Sequence, residues 1–117
     1  MSAPNIVSVA TITGKTAVLA VTTSASAIVT NAGSSGKVLK LNALIVANID
    51  GSNNCEVTCD LYRSSVAYHI AKTIDVPADT SLAILDKAIY LEEGDSLRLT
   101  AEANSDLQAV CSYEEIS

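Results

Sequence analysis

Residues 96–113 read SLRLTAEANSDLQAVCSY, and the first eight alternate without a break. Leu97, Leu99, Ala101 and Ala103 fall on one side; Ser96, Arg98, Thr100 and Glu102 fall on the other. A period of two sends successive side chains to opposite faces of a strand. Asn104-Ser105-Asp106 interrupts with turn residues, and the pattern resumes as Leu107-Ala109-Cys111-Tyr113. Two strands, each with one apolar and one polar face, belong to an antiparallel sheet whose one side is buried and whose other is wet.

Working outward, the same period governs the rest of the chain. Toward the N-terminus, Glu92-Glu93-Gly94-Asp95 forms a turn, and Leu82 to Leu91 reads as a strand broken at Asp86-Lys87. Before Pro77 lies Val66 to Val76, with Val66, Tyr68, Ile70, Ile74 and Val76 expected on one buried face. Arg63-Ser64-Ser65 turns the chain out of Cys55 to Tyr62, and Asp50 to Asn54 has the composition of a hairpin loop. Val38 to Ile49 reads as a central strand whose odd positions, Leu39 through Ile49, face the core. Ile6 to Thr13, Thr16 to Thr23 and Ala27 to Asn31 complete the set, followed by a flexible loop at Gly33-Ser34-Ser35-Gly36. About eight or nine short strands, with no helical periodicity, predict an all-β fold: a single-domain antiparallel β-sandwich of jelly-roll or immunoglobulin-like type. A closed barrel is disfavoured, because the sequence supplies short aliphatics where a ligand-carrying barrel lines its cavity with aromatics.

Composition sharpens this reading. The chain has 117 residues, 49% hydrophobic, yet no Phe or Trp, so Ala, Val, Ile and Leu must fill the core. The net charge is −6 and is unevenly placed: residues 1–49 carry three lysines and no acid, and all 13 acids lie from Asp50 onward. So acidic a chain, with scattered lysines, lacks the basic footprint of a nucleic-acid binder, and no apolar run is long enough to cross a membrane as a helix. Lys15 followed by TAVLAV and SASA mimics a secretory leader, but threonines break the apolar stretch and about a dozen residues precede the lysine, so no leader is expected. Residues 1–36, small, β-branched and free of acids, are read as an N-terminal arm or as strands that partners bury.

Five features could carry chemistry. Cys55 and Cys59 share a strand, which places their backbones about 13 Å apart, too far for one disulfide or one zinc ion; with Cys111 they extend apolar stripes as free, buried thiols. His69 is the lone histidine and has no nucleophile motif near it. Glu92, Glu93 and Asp95 lack the alternating ligands of a calcium loop and read as an acidic turn. Tyr62, Tyr68, Tyr90 and Tyr113 are too dispersed for a sugar-stacking platform, and Gly33 to Gly36 lacks phosphate-cradle spacing. No catalytic, metal or cofactor residue is assigned.

The last third, VPADTSLAILDKAIYLEEGDSLRLTAEANSDLQAVCSYEEI, resembles the small β-structured virion proteins of tailed bacteriophages, especially phages of cyanobacteria and marine bacteria. The shared elements are the VPA turn, the aliphatic strand, the L-x-x-G-D-S-L-R-L-T-A pattern and the final strand ending in SYEE. The resemblance implies a non-enzymatic virion protein assembled in the host cytoplasm. It further implies a capsid decoration or cement protein, or a tail or neck ring component, whose partners are copies of itself, as a homotrimer, and the major capsid protein.

Overall fold

The computed structural model describes residues 11–117, and every regular element among them is a β-strand. In chain order these are β1 (Ile12–Val21), β2 (Ser26–Thr30), β3 (Val38–Asn48), β4 (Cys55–Arg63), β5 (Val66–Val76), β6 (Ser81–Ala83), β7 (Ile89–Leu91), β8 (Ser96–Ala101) and β9 (Leu107–Ile116). One sheet runs β1-β9-β3-β6, with β7 also on β3; the other runs β2-β8-β4-β5. All the pairings are antiparallel. β6 and β7 lie along the same edge of β3, at Ile45–Ala47 and Leu39–Leu41, and are halves of one strand interrupted near Asp86-Lys87, as the sequence predicts. Counted so, the order is that of an eight-stranded jelly roll, and it decides between the two sandwich topologies expected.

The core between the sheets is built from short side chains. Leu39, Leu41, Leu44, Val46, Leu91 and Cys111 come from the first sheet, and Cys55, Val57, Cys59, Leu97 and Leu99 from the second. Two buried asparagines fasten the sheets at opposite ends. Asn31, at the end of β2, donates through Nδ2 to the carbonyls of Lys37 (2.9 Å) and Leu91 (3.0 Å). Asn48, at the end of β3, donates to the carbonyls of Asn53 (2.9 Å) and Val76 (2.8 Å). Each satisfies one carbonyl in a buried bond, that of Leu91 or of Val76, which would otherwise be desolvated without a partner.

Four expectations change. The strand expected at residues 6–13 lies partly outside the described residues, and from Ile12 it is continuous with the next: β1 passes through Gly14 and pairs with β9 at ten successive positions. The segment 12–30 is therefore not a detached arm, since it supplies an edge strand to each sheet and buries Val21 and Val29 in the chain's own core. In β3 the odd-position face holds only to Leu41. A bulge between Leu41 and Ala43 inserts Asn42 and reverses the phase, so Leu44, Val46 and Asn48 turn inward while Ile45 and Ile49 are exposed. In β5, Val76 and Ala71 are buried, whereas Val66, Tyr68, Ile70 and Ile74 are exposed. Two register shifts against β4 and a left-handed Thr73 (φ 49°) twist this edge strand out of simple alternation.

The β4–β5 hairpin turns through Ser64 (φ 52°) and Ser65 (φ 64°), the two left-handed positions of a type I′ turn. Asn-Gly suits this geometry far better than Ser-Ser. The double substitution Ser64→Asn, Ser65→Gly is expected to stabilise the protein by about 0.5–1 kcal/mol, measured as a raised urea midpoint at unchanged slope.

Candidate functional site

Each sheet has one face in the core and one in solvent, and the two solvent faces differ in chemistry. On the β2-β8-β4-β5 sheet the outer face is charged, and at its centre an arginine and an aspartate engage each other. Arg98 donates from Nε to Asp60 Oδ1 (2.9 Å) and from Nη2 to Oδ2 (3.3 Å), and its guanidinium lies 3.9 Å from the centre of the Tyr62 ring. Such bidentate, stacked arginine is held in one orientation and has little left to offer a partner.

The other sheet carries no charge across the middle of its outer face. Val18 on β1 lies opposite Val110 on β9, which lies opposite Ile45 on β3, which lies opposite Ala83 on β6. Side chains directly opposite in an antiparallel ladder share a face, so these four form one apolar row across four strands. Val18 is 74% exposed, Ile45 44% and Val110 41%. The row to one side is Ala20, Gln108, Ala47 and Ser81; to the other it is Thr16, Ser112 and Ala43. Formal charge enters only further along, where Lys40 lies opposite Glu114.

Among the described residues this face ends at an open edge, β1. β1 is ten residues long, pairs with β9 without a register shift, and bears one charge, Lys15. The other edges are better protected: β2 has five residues and a bulge, β6 and β7 have three each, and β5 carries two register shifts and Lys72. Short strands, bulges and lysines are the usual guards against edge pairing, and β1 has the fewest. At its start it is anchored to its own chain, because Glu115 accepts from Lys15 Nζ (3.1 Å) and Lys37 Nζ (2.7 Å). Both lysines hold the Glu115 carboxyl below the usual carboxylate range.

The residues singled out from sequence do not come together. Cys55, Cys59 and Cys111 are free and buried. Desolvation, with the neighbouring Asp60 charge, pushes the Cys59 thiol up to about 12, and desolvation pushes Cys111 up to about 11. His69 is exposed on the β5 edge. Asp95 is buried and accepts from Arg63 Nε (2.8 Å) and Nη2 (2.5 Å) and from the Glu92 backbone N–H (2.9 Å), while Glu92 accepts from Arg63 Nη2 (3.0 Å). The acidic turn thus closes on an arginine. Glu93 accepts from the Gly36 N–H (2.9 Å), which pins the loop expected to be flexible. Among the described residues no group of three or more His, Cys, Asp or Glu could hold a metal ion. The exposed tyrosines, Tyr68 and Tyr90, lie on different sheets. What sequence reading missed is the Val18–Val110–Ile45–Ala83 row. Its one visible sign was an isolated valine at 110 between Gln108 and Ser112 on a polar strand face.

No family model matches the chain, and no curated protein matches it by sequence. Among solved structures it is similar to a protein of the Bacillus endospore appendages, described as a novel family of disulfide-linked pili. The TM-score is 0.53 at 15% identity, covering 92% of this chain and 88% of that one. The likeness is one of fold.

Two outcomes are expected here. Asp95→Asn should cost about 1–2 kcal/mol, limited because Arg63 stays half exposed. Arg63 holds the Asp95 carboxyl below its usual value. The stability this contributes is present above the unfolded carboxylate pKa of about 3.9 and is lost as pH falls through the lower folded value. Unfolding midpoints measured against pH should therefore fall less steeply on the acid side in Asp95→Asn than in the wild type. Separately, a thiol reagent added to the native protein should modify Cys55, Cys59 and Cys111 only as fast as the chain unfolds, and all three at once in denaturant.

Proposed function

We propose that this protein is a non-enzymatic structural subunit of a tailed-phage virion, a capsid decoration or cement protein that binds copies of itself and the major capsid protein. The observation that carries this reading is the pairing of an apolar sheet face, uncharged across its middle, with the least guarded long edge strand among the described residues, on the same sheet. Charge depletion with exposed aliphatics is what the centre of a protein–protein interface requires, and a free strand edge offers backbone hydrogen bonds to a neighbour. The resemblance of the last third to small virion proteins supports the phage setting. A cement protein works by adding buried area across capsomer junctions, and a slab with one apolar side and one charged side is suited to that task. In this reading the chain crosses no membrane, holds no cofactor, and contacts protein rather than nucleic acid.

A second reading is favoured by the fold likeness to a pilus protein: a subunit of a filament, or of a ring at the tail or neck. That neighbour is disulfide-linked, whereas the three thiols here are buried, so a filament of this chain would be held by non-covalent contacts.

Labelling the protein in intact particles and locating it by electron microscopy tests both readings. Density at capsid symmetry axes, in hundreds of copies or nearly so, is expected. A single ring at the tail or neck moves the protein to the second reading. Filaments formed by the purified chain, with no label on particles, would remove the phage setting altogether.

A further inference from the structure

The rows of the uncharged face have an internal symmetry that bears on what covers it. The four strands lie in the order β1-β9-β3-β6, so a two-fold axis parallel to the strands and above the line between β9 and β3 exchanges β9 with β3 and β1 with β6. A second copy placed by that axis sets Val110 against Ile45 and Val18 against Ala83. It also sets Gln108 against Ala47 and Ser112 against Ala43. The most exposed side chain, Val18, meets one of the smallest, which is the large-against-small alternation that lets two faces interlock.

The charges obey the same operation. Lys40 and Glu114 face each other across β3 and β9, on the same face as Val110 and about 13 Å along the strands from it. Within one chain Glu114 accepts a hydrogen bond from Asn42 Nδ2 (3.3 Å), and among the described residues no ion pair joins it to Lys40. The two-fold puts Lys40 of each copy over Glu114 of the other. Two cross-copy ion pairs form, and no like charges oppose. For a chain of net charge −6 this matters, since two copies meeting through most other surfaces would bring carboxylates together. Packed sheets rotate by about 30° relative to each other; the central Val110–Ile45 contacts survive that rotation, and the long Lys40 and Glu114 side chains can follow it.

We infer that the outer face of the β1-β9-β3-β6 sheet is a self-association surface, on which a second copy of this chain docks face to face about a two-fold axis. Four strands about 4.8 Å apart and seven residues about 3.3 Å each give a footprint of roughly 450 Å² a side, below the ~800 Å² of a standard interface. The dimer is therefore weak and reversible. The contact leaves the β1 edge free, so a three-fold ring, if the protein forms one, would be built through strand edges and could coexist with it.

Charge swapping tests this independently of where the protein sits in a virion. In sedimentation velocity of the full chain, wild type is expected to pass from monomer to dimer as concentration rises. Lys40→Glu alone and Glu114→Lys alone should each weaken the dimer at least about tenfold, because each variant opposes like charges across the axis. An equimolar mixture of the two variants should dimerise again. In the mixed dimer the carboxylate introduced at position 40 of one copy faces the ammonium introduced at position 114 of the other, and the unchanged Glu114 faces the unchanged Lys40. Val110→Lys, at an exposed position that leaves the core intact, should abolish the dimer with no rescue by mixing. A wild type that stays monomeric to about 1 mM, single variants that dimerise as well as wild type, or a mixture that fails to recover would each overturn the inference. A protein that decorates capsids but never dimerises refutes this contact and leaves the cement reading standing; one that dimerises but is absent from particles does the reverse.

Discussion

One extra residue decides which side chains of this protein are inside. β3 is the strand that touches most of its sheet, pairing with β9 along one side and with β6 and β7 along the other. Because side chains alternate with a period of two, a single inserted residue at Asn42 exchanges the faces of everything beyond it. Leu39 and Leu41 before the bulge, and Leu44 and Val46 after it, therefore all reach the same core. Without the insertion the second half of β3 would point Leu44 and Val46 outward and bury Ile45. The core would lose its inner layer, and the apolar row on the outer face would lose its centre.

A core without Phe or Trp makes that phase more consequential. Short aliphatics fill space by close interdigitation between two sheets about 10 Å apart, and they lack the reach to compensate if a neighbour turns away. The polar fastenings lie at the periphery of this packing. Asn31 and Asn48 close the two ends, the Arg63–Asp95 pair closes the acidic turn, and Glu115 ties β1 to the approach to β3 through two lysines. Each fixes a loop or a strand end, so the apolar faces between them are held in register.

Much of this was legible where alternation is strict. β8 and β9 have the inner faces read from Leu97-Leu99-Ala101 and Leu107-Ala109-Cys111, and Cys55, Val57 and Cys59 are buried as their stripe predicts. The break at Asp86-Lys87 marked the gap between β6 and β7. Alternation failed at the bulges, because a bulge changes phase without changing composition. Ile45 and Ile74 are as apolar as any core residue, and only their strand partners show that they face outward or lie at an edge. The candidate surface was hidden for the same reason. Val18, Val110, Ile45 and Ala83 lie far apart in sequence and become neighbours only through the sheet order.

The uneven charge of the chain acquires a different meaning in this topology. A front half with no acids invites the idea of a segment set apart, yet the jelly roll interleaves it with the acidic half, placing β1 beside β9 and β2 beside β8. What the interleaving produces is two unlike faces. β1 and β3 bring no acids to their sheet, and between them β9 presents only Gln108, Val110 and Ser112, so the stretch shared by the three stays neutral. β4 and β8 carry Asp60 and Arg98 to the opposite sheet, where they neutralise each other. Removing residues 12–30 would strip an edge strand from each sheet rather than release an appendage. The scarcity of charge in the front half thus leaves neutral a surface assembled from both ends of the chain, at whose margin Lys40 from one half lies opposite Glu114 from the other.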